Sequence, residues 1–386
     1  MGKKIIIAAS NYWTSAFQVG SHHYARQFAK NGWKVLFISD PISPFHFFIR
    51  DKEQVYERYK IYKGLIDSKD SNIKIYVPFA LFTPNERPLF NSKFVANKWQ
   101  YFTFPNIMKF LRSTGFDTTD LLWFDSLIQS FFIDNVKYKK SILRISDRLD
   151  AFKKINANLT GLEKKLKEKV DLIFYSAKNL KDYIIDFEKK SYHIPNGVDF
   201  EHFYSGKKGI PDDLKNIPKP RAIYVGAIDE WFDLGFLKDV ARKSRNLSFV
   251  LIGSYKVDVT ILRQEPNIFL LGRKSFNLIP SYISNCDIGI ITFNANHPVV
   301  NTINPIKLYE YMACGLPVVS TNWKELELIK SPAYLAGSID DFVNGLNNFL
   351  MVMDKETKVY KEAFINFAAK NSWDKRYKQI IEIINK

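Results

Sequence analysis

Residues 304–320 read NPIKLYEYMACGLPVVS, a short helix followed at once by a strand. Asn304 has the chemistry of an N-cap, and Pro305 suits the first helical position because its missing N–H would be unpaired there anyway. Gly315 can take the left-handed conformation that ends a helix, and Pro317 blocks continuation. The run from Leu316 onward is short and apolar, as expected for a strand buried on both faces of a parallel sheet. Inside the helix, Lys307 and Glu310 are three residues apart and share a face. Lys307 falls in the first turn, where free N–H groups and the helix dipole already favour an anion, so a lysine there completes a diphosphate pocket. Glu310, one turn on, is placed to accept hydrogen bonds from paired hydroxyls such as those of a ribose. The alternative is a surface ion pair, worth about 0.3–0.5 kcal/mol on a helix.

The same alternation of apolar runs and amphipathic segments extends in both directions. KKIIIAAS, WKVLFIS, DLLWFDS, SILRISD and DLIFYSA read as strands ending in polar residues. SHHYARQFAKNG reads as a helix ending on Gly32, and LTGLEKKLKEKV as a solvated helix face. At His193–Phe203 the pattern changes to turn chemistry, and the polar stretch YSGKKGIPDDLKNIPKP marks a domain boundary. Beyond it RAIYVGAI, LSFVLIG, NIFLLG and CDIGIITF restart the alternation. Two Rossmann-like α/β domains are therefore expected, residues 1–205 and 206–374, facing each other across a cleft at the carboxyl ends of their sheets, where open α/β folds bind ligands.

The 386 residues carry a net charge of +16, and 46% are hydrophobic, which excludes a disordered chain. The basic balance calls for an anionic partner: nucleic acid, an anionic membrane face or a phosphorylated small molecule. Cys286 and Cys314 have no metal-like spacing, so a reducing compartment is the natural reading. The run IIIAA near the N-terminus is too short for a signal peptide, and no apolar stretch approaches the roughly 20 residues of a membrane span. A soluble or surface-attached protein follows.

PIKLYEYMACGLPVVST resembles the nucleotide-sugar motif of GT-B glycosyltransferases, and HIPNGVDFEHF is similar to the end of their N-terminal domains. YVGAIDEWFD resembles the glycine-containing first strand of their donor domain, and IFLLGRKSFNLIPSYISNCDIGIITF their base-side strand, helix and next strand. SHHYARQFAKNGWKVLFI is similar to their acceptor-side βαβ unit, and NSWDKRYKQIIEII to the crossover helix, here residues 375–386, that returns to the N-terminal domain. Within that fold the chain resembles transferases of bacterial surface polysaccharides, such as those of teichuronic acid synthesis, and more distantly the glucuronosyltransferase of xanthan assembly. The resemblance implies transfer of a sugar from a nucleotide donor, UDP-linked, to a hydroxyl of a lipid-linked saccharide, on the cytoplasmic face of the cell membrane.

It also implies roles for single residues. Gly226, Ala227 and Ile228 line a strand-end turn against the donor phosphate, with Arg273, Thr302, Asn304, Lys307 and Glu310. Thr302 departs from the pattern: many retaining relatives have a glutamate eight positions before the residue matching Glu310, and a threonine cannot bring a carboxylate to the donor. If attack inverts the anomeric centre, the acceptor hydroxyl needs a base. Asp147, ending an apolar strand in a phrase that resembles the catalytic region of the xanthan-assembly enzyme, is the candidate. A salt bridge to Arg144 or Arg148 is its structural alternative, and Asp125 is held in reserve. Ser10, Trp13, Gly20, His22 and His23 belong to the acceptor-side segment, where a tryptophan could stack on a sugar face. With no D-x-D sequence, no metal and no cofactor are expected; Lys307 and the helix terminus neutralise the leaving nucleotide. The aromatic-basic segments PISPFHFFIRDKEQVYERYK and FALFTPNERPLFNSKFVANKWQYFTF read as a membrane interface, with internal packing as the alternative. Two other functions compete with this one: a sugar-nucleotide epimerase of the same fold, which needs no such interface, and a nucleic-acid binder. No helix-turn-helix, RNP or zinc-finger pattern supports the latter, and a catalytically dead scaffold fits poorly with intact Lys307 and Glu310.

Overall fold

A computed structural model describes residues 2–48, 52–84, 90–152, 157–206, 209–355 and 357–386. Parts of the two aromatic-basic segments (residues 49–51 and 85–89) and of the linker (207–208) lie outside the described residues. The chain divides into two compact units: residues 1–176 with 180–194 and 379–386, and residues 177–179 with 195–378.

The first unit is built on seven strands: β1 (Lys4–Ala9), β2 (Lys34–Ser39), β3 (Ile73–Tyr76), β4 (Thr118–Phe124), β5 (Lys137–Ile145), β6 (Leu172–Tyr175) and β7 (Ser191–His193), in the order β3-β2-β1-β4-β5-β6-β7. Neighbours run parallel, with Ile7 of β1 in register with Phe37 of β2 on one side and Trp123 of β4 on the other. The residues Ile5 to Ala9 are all 0% exposed, because helices cover both faces of such a sheet, and this is why the strand reads as an unbroken apolar run. The chain winds outward from β1 to β3, then returns to β4 on the other side of β1. The crevice at that reversal is where ligands enter folds of this kind. Gln129, fully buried just after β4, donates to the carbonyls of Ala9 and Ile38, 3.1 Å each, and so ties the ends of β1 and β2 together.

The second unit repeats the plan with β8 (Arg221–Val225), β9 (Ser248–Ile252), β10 (Ile268–Gly272), β11 (Ile288–Ile291), β12 (Val318–Thr321) and β13 (Tyr334–Ala336), in the order β10-β9-β8-β11-β12-β13. Its reversal lies between β8 and β11. The helix Ile306–Ala313 follows β11 and feeds β12. As read from the sequence, the helix closes on Gly315 in the left-handed region, at φ +78°. Its start differs. Pro305 is the capping residue, and the Asn304 side chain makes no cap; instead its Oδ1 accepts from the Tyr309 hydroxyl at 3.1 Å. The Asn304 carbonyl accepts from Asn196 Nδ2 at 2.7 Å.

Two further readings change. In the helix Ala157–Lys169 the charged residues are not all solvated: Glu163 and Lys167 are buried and paired at 3.3 Å, and Lys167 Nζ lies 3.7 Å from the Tyr183 ring centroid. The polar stretch after Phe203 is more than a tether, since Leu214 and Ile217 pack into the second core. The preceding HIPNGVDFEHF phrase enters that core as well. Val198 bridges Ser372, and a Cβ on Gly197 would meet the Asn371 carbonyl at 2.9 Å, so only glycine fits.

Candidate active site

In the second unit three glycines stand side by side at the carboxyl edge of the sheet: Gly226 after β8, Gly253 after β9 and Gly272 ending β10. The Gly226 N–H donates to the Ile252 carbonyl and the Gly253 N–H to the Gly272 carbonyl, both at 2.9 Å. Gly226 has φ +151° and Gly253 φ +152°, and a Cβ on Gly253 would lie 1.8 Å from the Gly226 carbonyl oxygen. The edge is therefore bare backbone. A Cβ on Gly226 would approach Lys307 Cε at 3.2 Å and Nζ at 3.3 Å, so this glycine leaves the space that the lysine fills.

The Lys307 ammonium rests on two aromatic rings, 5.1 Å from the Tyr224 centroid and 4.6 Å from that of Phe293. Both distances fall within cation–π range. Among the described residues it forms no hydrogen bond and no ion pair. Burial lowers its pKa from 10.5 to about 8, against the opposing pull of Glu310. Glu310 is pushed up to about 7 by burial, with Lys307 pulling it down and Asp199 adding to the rise. The surface ion pair is thus ruled out: neither group is exposed, and no contact within 4 Å joins them. A desolvated cation at a glycine edge, in the first turn of a helix and held by no carboxylate, is suited to a phosphate.

The remaining donor-side residues are placed less directly. Thr302 is 3% exposed, and its hydroxyl donates to the Val299 carbonyl at 3.1 Å. Ile228 is a fully buried core residue, so only its backbone could meet a ligand, while the Ala227 carbonyl already accepts from the Tyr224 hydroxyl at 2.8 Å. Arg273 follows Gly272 and is exposed. Asn304 buttresses the helix from inside and is 4% exposed.

In the first unit Asp147 lies just past β5, half-buried. Burial raises its pKa to about 6, opposed by the charge of Arg144. The salt-bridge alternative does not hold, because each flanking arginine has a carboxylate of its own. Arg144 Nη1 lies 3.4 Å from Asp125 Oδ1, with both side chains buried, and Arg148 Nη2 lies 2.6 Å from Asp150 Oδ2. Asp147 makes no hydrogen bond or ion pair among the described residues. Asp125 is also raised by burial, but its Arg144 contacts pull the other way.

The acceptor-side segment is largely corrected. His22 is fully buried at the start of the helix Gly20–Lys30; its Nδ1 accepts from the Val19 N–H at 3.3 Å, which leaves Nε2 to donate to the Tyr12 carbonyl at 3.0 Å. Desolvation holds its pKa down at about 4, so the imidazole is neutral and both nitrogens are engaged. Trp13 is also internal: Phe37 meets it edge-on at 5.2 Å and the Arg26 guanidinium covers it at 5.0 Å, so no face is left for a sugar. His23 is 3% exposed. Gly20 is the seat of Arg144, since a Cβ there would come within 2.7 Å of the guanidinium carbon. Ser10, at the end of β1, is exposed.

Sequence reasoning missed Tyr224 and Phe293 as the bed of Lys307, and it missed Asp40. That carboxylate follows β2, accepts from Ser126 and from Gln129 Nε2, and is raised by burial to about 6. Its one sequence signal is its place at the end of WKVLFISD. Among the described residues no group of three His, Cys, Asp or Glu is arranged to hold a metal.

Comparison with known proteins shows a likeness in each unit. Residues 6–176 match the N-terminal domain of glucuronosyltransferase GumK, and residues 219–351 match glycosyl transferases group 1. Each of the two α/β units is thus similar to a glycosyltransferase domain. The GumK-type domain holds Asp147, and the group 1 domain holds Gly226, Lys307 and Glu310. The putative teichuronic acid biosynthesis glycosyltransferase TuaH of Bacillus subtilis (strain 168) is 28% identical over 206 residues, 50% of this chain and 50% of that protein. The chain thus spans about half the length of the curated relative it matches. The GT-B fold extends further. Anabaena Alr3699/HepE in complex with UDP-glucose has a TM-score of 0.66 at 15% identity, over 99% of both chains. Sucrose-phosphate synthase (tll1590) from Thermosynechococcus elongatus has a TM-score of 0.71 at 14% identity, over 99% of this chain and 98% of that one.

Proposed function

We propose that this chain transfers a sugar from a UDP-linked donor to a hydroxyl of a lipid-linked saccharide in cell-surface polysaccharide assembly. The observation that carries the reading is Lys307, a cation desolvated on Tyr224 and Phe293 beside the bare edge of Gly226, with no anion bound to it among the described residues. In the proposed step the acceptor O–H gives its proton to Asp147 while its oxygen attacks the anomeric carbon. The bond from that carbon to the donor's phosphate oxygen breaks, and the electron pair leaves with the nucleoside diphosphate. Lys307 meets the charge that develops there. Glu310 accepts from the ribose hydroxyls. A free carboxylate base, and a threonine at 302 in place of the retaining glutamate, favour inversion.

Two further observations support the setting. TuaH is named for teichuronic acid, and Anabaena HepE is described in complex with UDP-glucose. Among the described residues no helix is long and apolar enough to cross a membrane, yet the first unit exposes Phe48, Leu81, Phe94, Tyr101 and Phe104, with Lys93 next to Phe94 and Lys98 5.4 Å from the Tyr101 ring centroid.

The test is a thermal-shift screen of UDP-, GDP- and ADP-sugars, followed by transfer of the labelled hit sugar to a lipid extract. UDP-sugars should stabilise the wild type, Lys307→Ala should lose that shift, and Asp147→Asn should keep the shift and lose transfer. No stabilisation by any nucleotide sugar would sink the reading. Full transfer by Asp147→Asn would remove the base alone.

A further inference from the structure

We propose that Thr321 is the positioning residue of the diphosphate site: its hydroxyl holds the backbone of Phe293, and with it the ring on which the Lys307 ammonium rests. The inference rests on the reading of Lys307 as the cation that meets the donor phosphate.

Lys307 needs such a support. Its side chain is long and flexible, and among the described residues no hydrogen bond or ion pair fixes its ammonium. What holds it is the space beside Gly226 and two rings, Tyr224 at 5.1 Å and Phe293 at 4.6 Å. Tyr224 is set by the sheet: it lies on β8, is fully buried, and donates its hydroxyl to the Ala227 carbonyl at 2.8 Å. Phe293 has no such anchor in the ladder. It lies two residues past the end of β11, whose pairing with β12 stops at Ile291 opposite Ser320.

Thr321, the last residue of β12, continues that ladder with its side chain. Its Oγ1 accepts from the Phe293 N–H at 3.1 Å and donates to the Phe293 carbonyl at 2.8 Å. The Ile291 carbonyl, at 3.5 Å, is the more distant acceptor for the same proton. On its other flank Phe293 faces Phe232 in an antiparallel bridge. There the Asp233 N–H donates to the Thr292 carbonyl at 2.9 Å, and the Asn294 N–H to the Trp231 carbonyl at 2.8 Å. In such a pair the residue between the two bonds turns its own amide groups away from the partner strand. The N–H and C=O of Phe293 therefore point toward β12, where Thr321 Oγ1 meets both. Both residues are buried, so leaving those two backbone groups unpaired is costly.

The position thus demands a hydroxyl and not merely a side chain of this size. Valine has the shape of threonine but offers neither donor nor acceptor. The Phe293 backbone must then shift to find other partners, and its ring shifts with it. Serine keeps both bonds. A hydroxyl that served stability alone would lower resistance to unfolding without moving Lys307 in the folded protein.

The experiment is proton–carbon NMR of the full chain labelled with 13Cε-lysine, with the Lys307 signal assigned by its absence in Lys307→Arg. A methylene over two aromatic rings resonates upfield of the other lysines. That displacement should persist in Thr321→Ser and diminish in Thr321→Val. UDP affinity, measured by calorimetry, should fall about fivefold or more in Thr321→Val, the scale of one desolvated cation–π contact, and stay within about twofold in Thr321→Ser. An unmoved Lys307 signal or an unchanged UDP affinity in folded Thr321→Val would overturn the proposal, as would a Thr321→Ser protein that behaves like Thr321→Val. If Thr321→Val does not fold, as judged by circular dichroism, Thr321→Cys decides, because a thiol is a weak substitute for the hydroxyl: a Lys307 signal moved toward the other lysines supports, and an unmoved one refutes. A wild type that binds no UDP would sink the donor reading. The Lys307 signal needs no ligand, and it still decides whether Thr321 positions that side chain.

Discussion

Gly226 and Lys307 meet so closely that a methyl group on the glycine would lie 3.2 Å from the lysine Cε and 3.3 Å from its ammonium. One comes from the end of β8 and the other from the helix after β11, so the contact spans the point where the strand order reverses. The sheet thus sets a cation beside bare backbone at the place where its topology leaves a crevice.

Gly226→Ala should therefore damage nucleotide binding more than folding. The substitution meets Lys307 and adopts φ +151°, a conformation costing a side chain about 1–3 kcal/mol. Calorimetry with UDP should show affinity lower by about tenfold or more. Gly161→Ala is the control: it lies in a helix with nothing within 4 Å, and should stabilise the chain by about 0.5–1 kcal/mol. Equal UDP affinity in wild type and Gly226→Ala would contradict the contact.

Lys307 makes binding pH-dependent. Its pKa in the free protein is held down at about 8 by burial, and a bound diphosphate restores the charged form. Between about pH 8 and the ordinary lysine range, the free protein has lost the proton that the complex keeps, so binding takes up a proton and weakens as pH rises. Glu310 adds a second trend, because its raised value near 7 leaves it partly protonated at neutral pH. Calorimetry in buffers of different ionisation enthalpy should register the uptake above pH 8. Lys307→Arg should bind with a flatter profile, since guanidinium stays charged. Identical slopes for the two proteins would place the proton elsewhere.

How much of this was legible beforehand depends on what each residue's partners are. The parallel sheets were readable from KKIIIAAS and LPVVST, because strands covered on both faces leave unbroken apolar runs. Lys307 and Glu310 were readable because helical spacing fixes their relation locally. Tyr224 and Phe293 were not, since Tyr224 lies on another strand of the sheet and Phe293 in the loop after β11, and only the fold brings both rings under Lys307. Trp13 and His22 were misread for the same reason: a tryptophan or histidine next to a strand end looks like a ligand contact until Phe37, Arg26 and the Tyr12 carbonyl are seen around it. Asp147 was found through position and resemblance, but its freedom from Arg148 depends on Asp150, and no pattern in SILRISDRLD decides between them.

The exposed aromatic residues of the first unit predict membrane binding. Leu81 pairs through its N–H with the Phe102 carbonyl, Phe104 likewise with Phe79, and Phe94 packs near Phe102, so several exposed rings share one region with Lys93 and Lys98. Such rings sit at head-group level while lysines meet anionic lipid. The chain should sediment with vesicles containing anionic lipid, less so at high salt, and weakly with neutral ones. Phe94→Ser with Phe104→Ser should reduce sedimentation while leaving UDP affinity unchanged. Undiminished sedimentation would make the rings mere packing leftovers.

His22 gives a stability prediction with a definite sign. Its folded pKa of about 4 lies below the ordinary value of 6.5, so the unfolded chain takes up the proton first as pH falls. Its contribution is complete above about pH 6.5 and is lost as pH drops toward 4, a loss of up to about 3 kcal/mol. Asp40 and Asp147, both raised to about 6 by burial, work in the opposite direction, since their protonation favours the folded state. They do so equally in a His22 variant, and the difference between proteins isolates the imidazole. His22→Ala should be destabilised by about 2 kcal/mol at pH 7, having lost a buried ring and two backbone hydrogen bonds. Urea unfolding at pH 7, 5.5 and 4.5 should show that gap closing as the medium acidifies. A gap that stays constant would mean the ring takes up its proton at the same pH in the fold as in the unfolded chain, and at pH 4.5 its Nδ1 could then no longer accept from Val19.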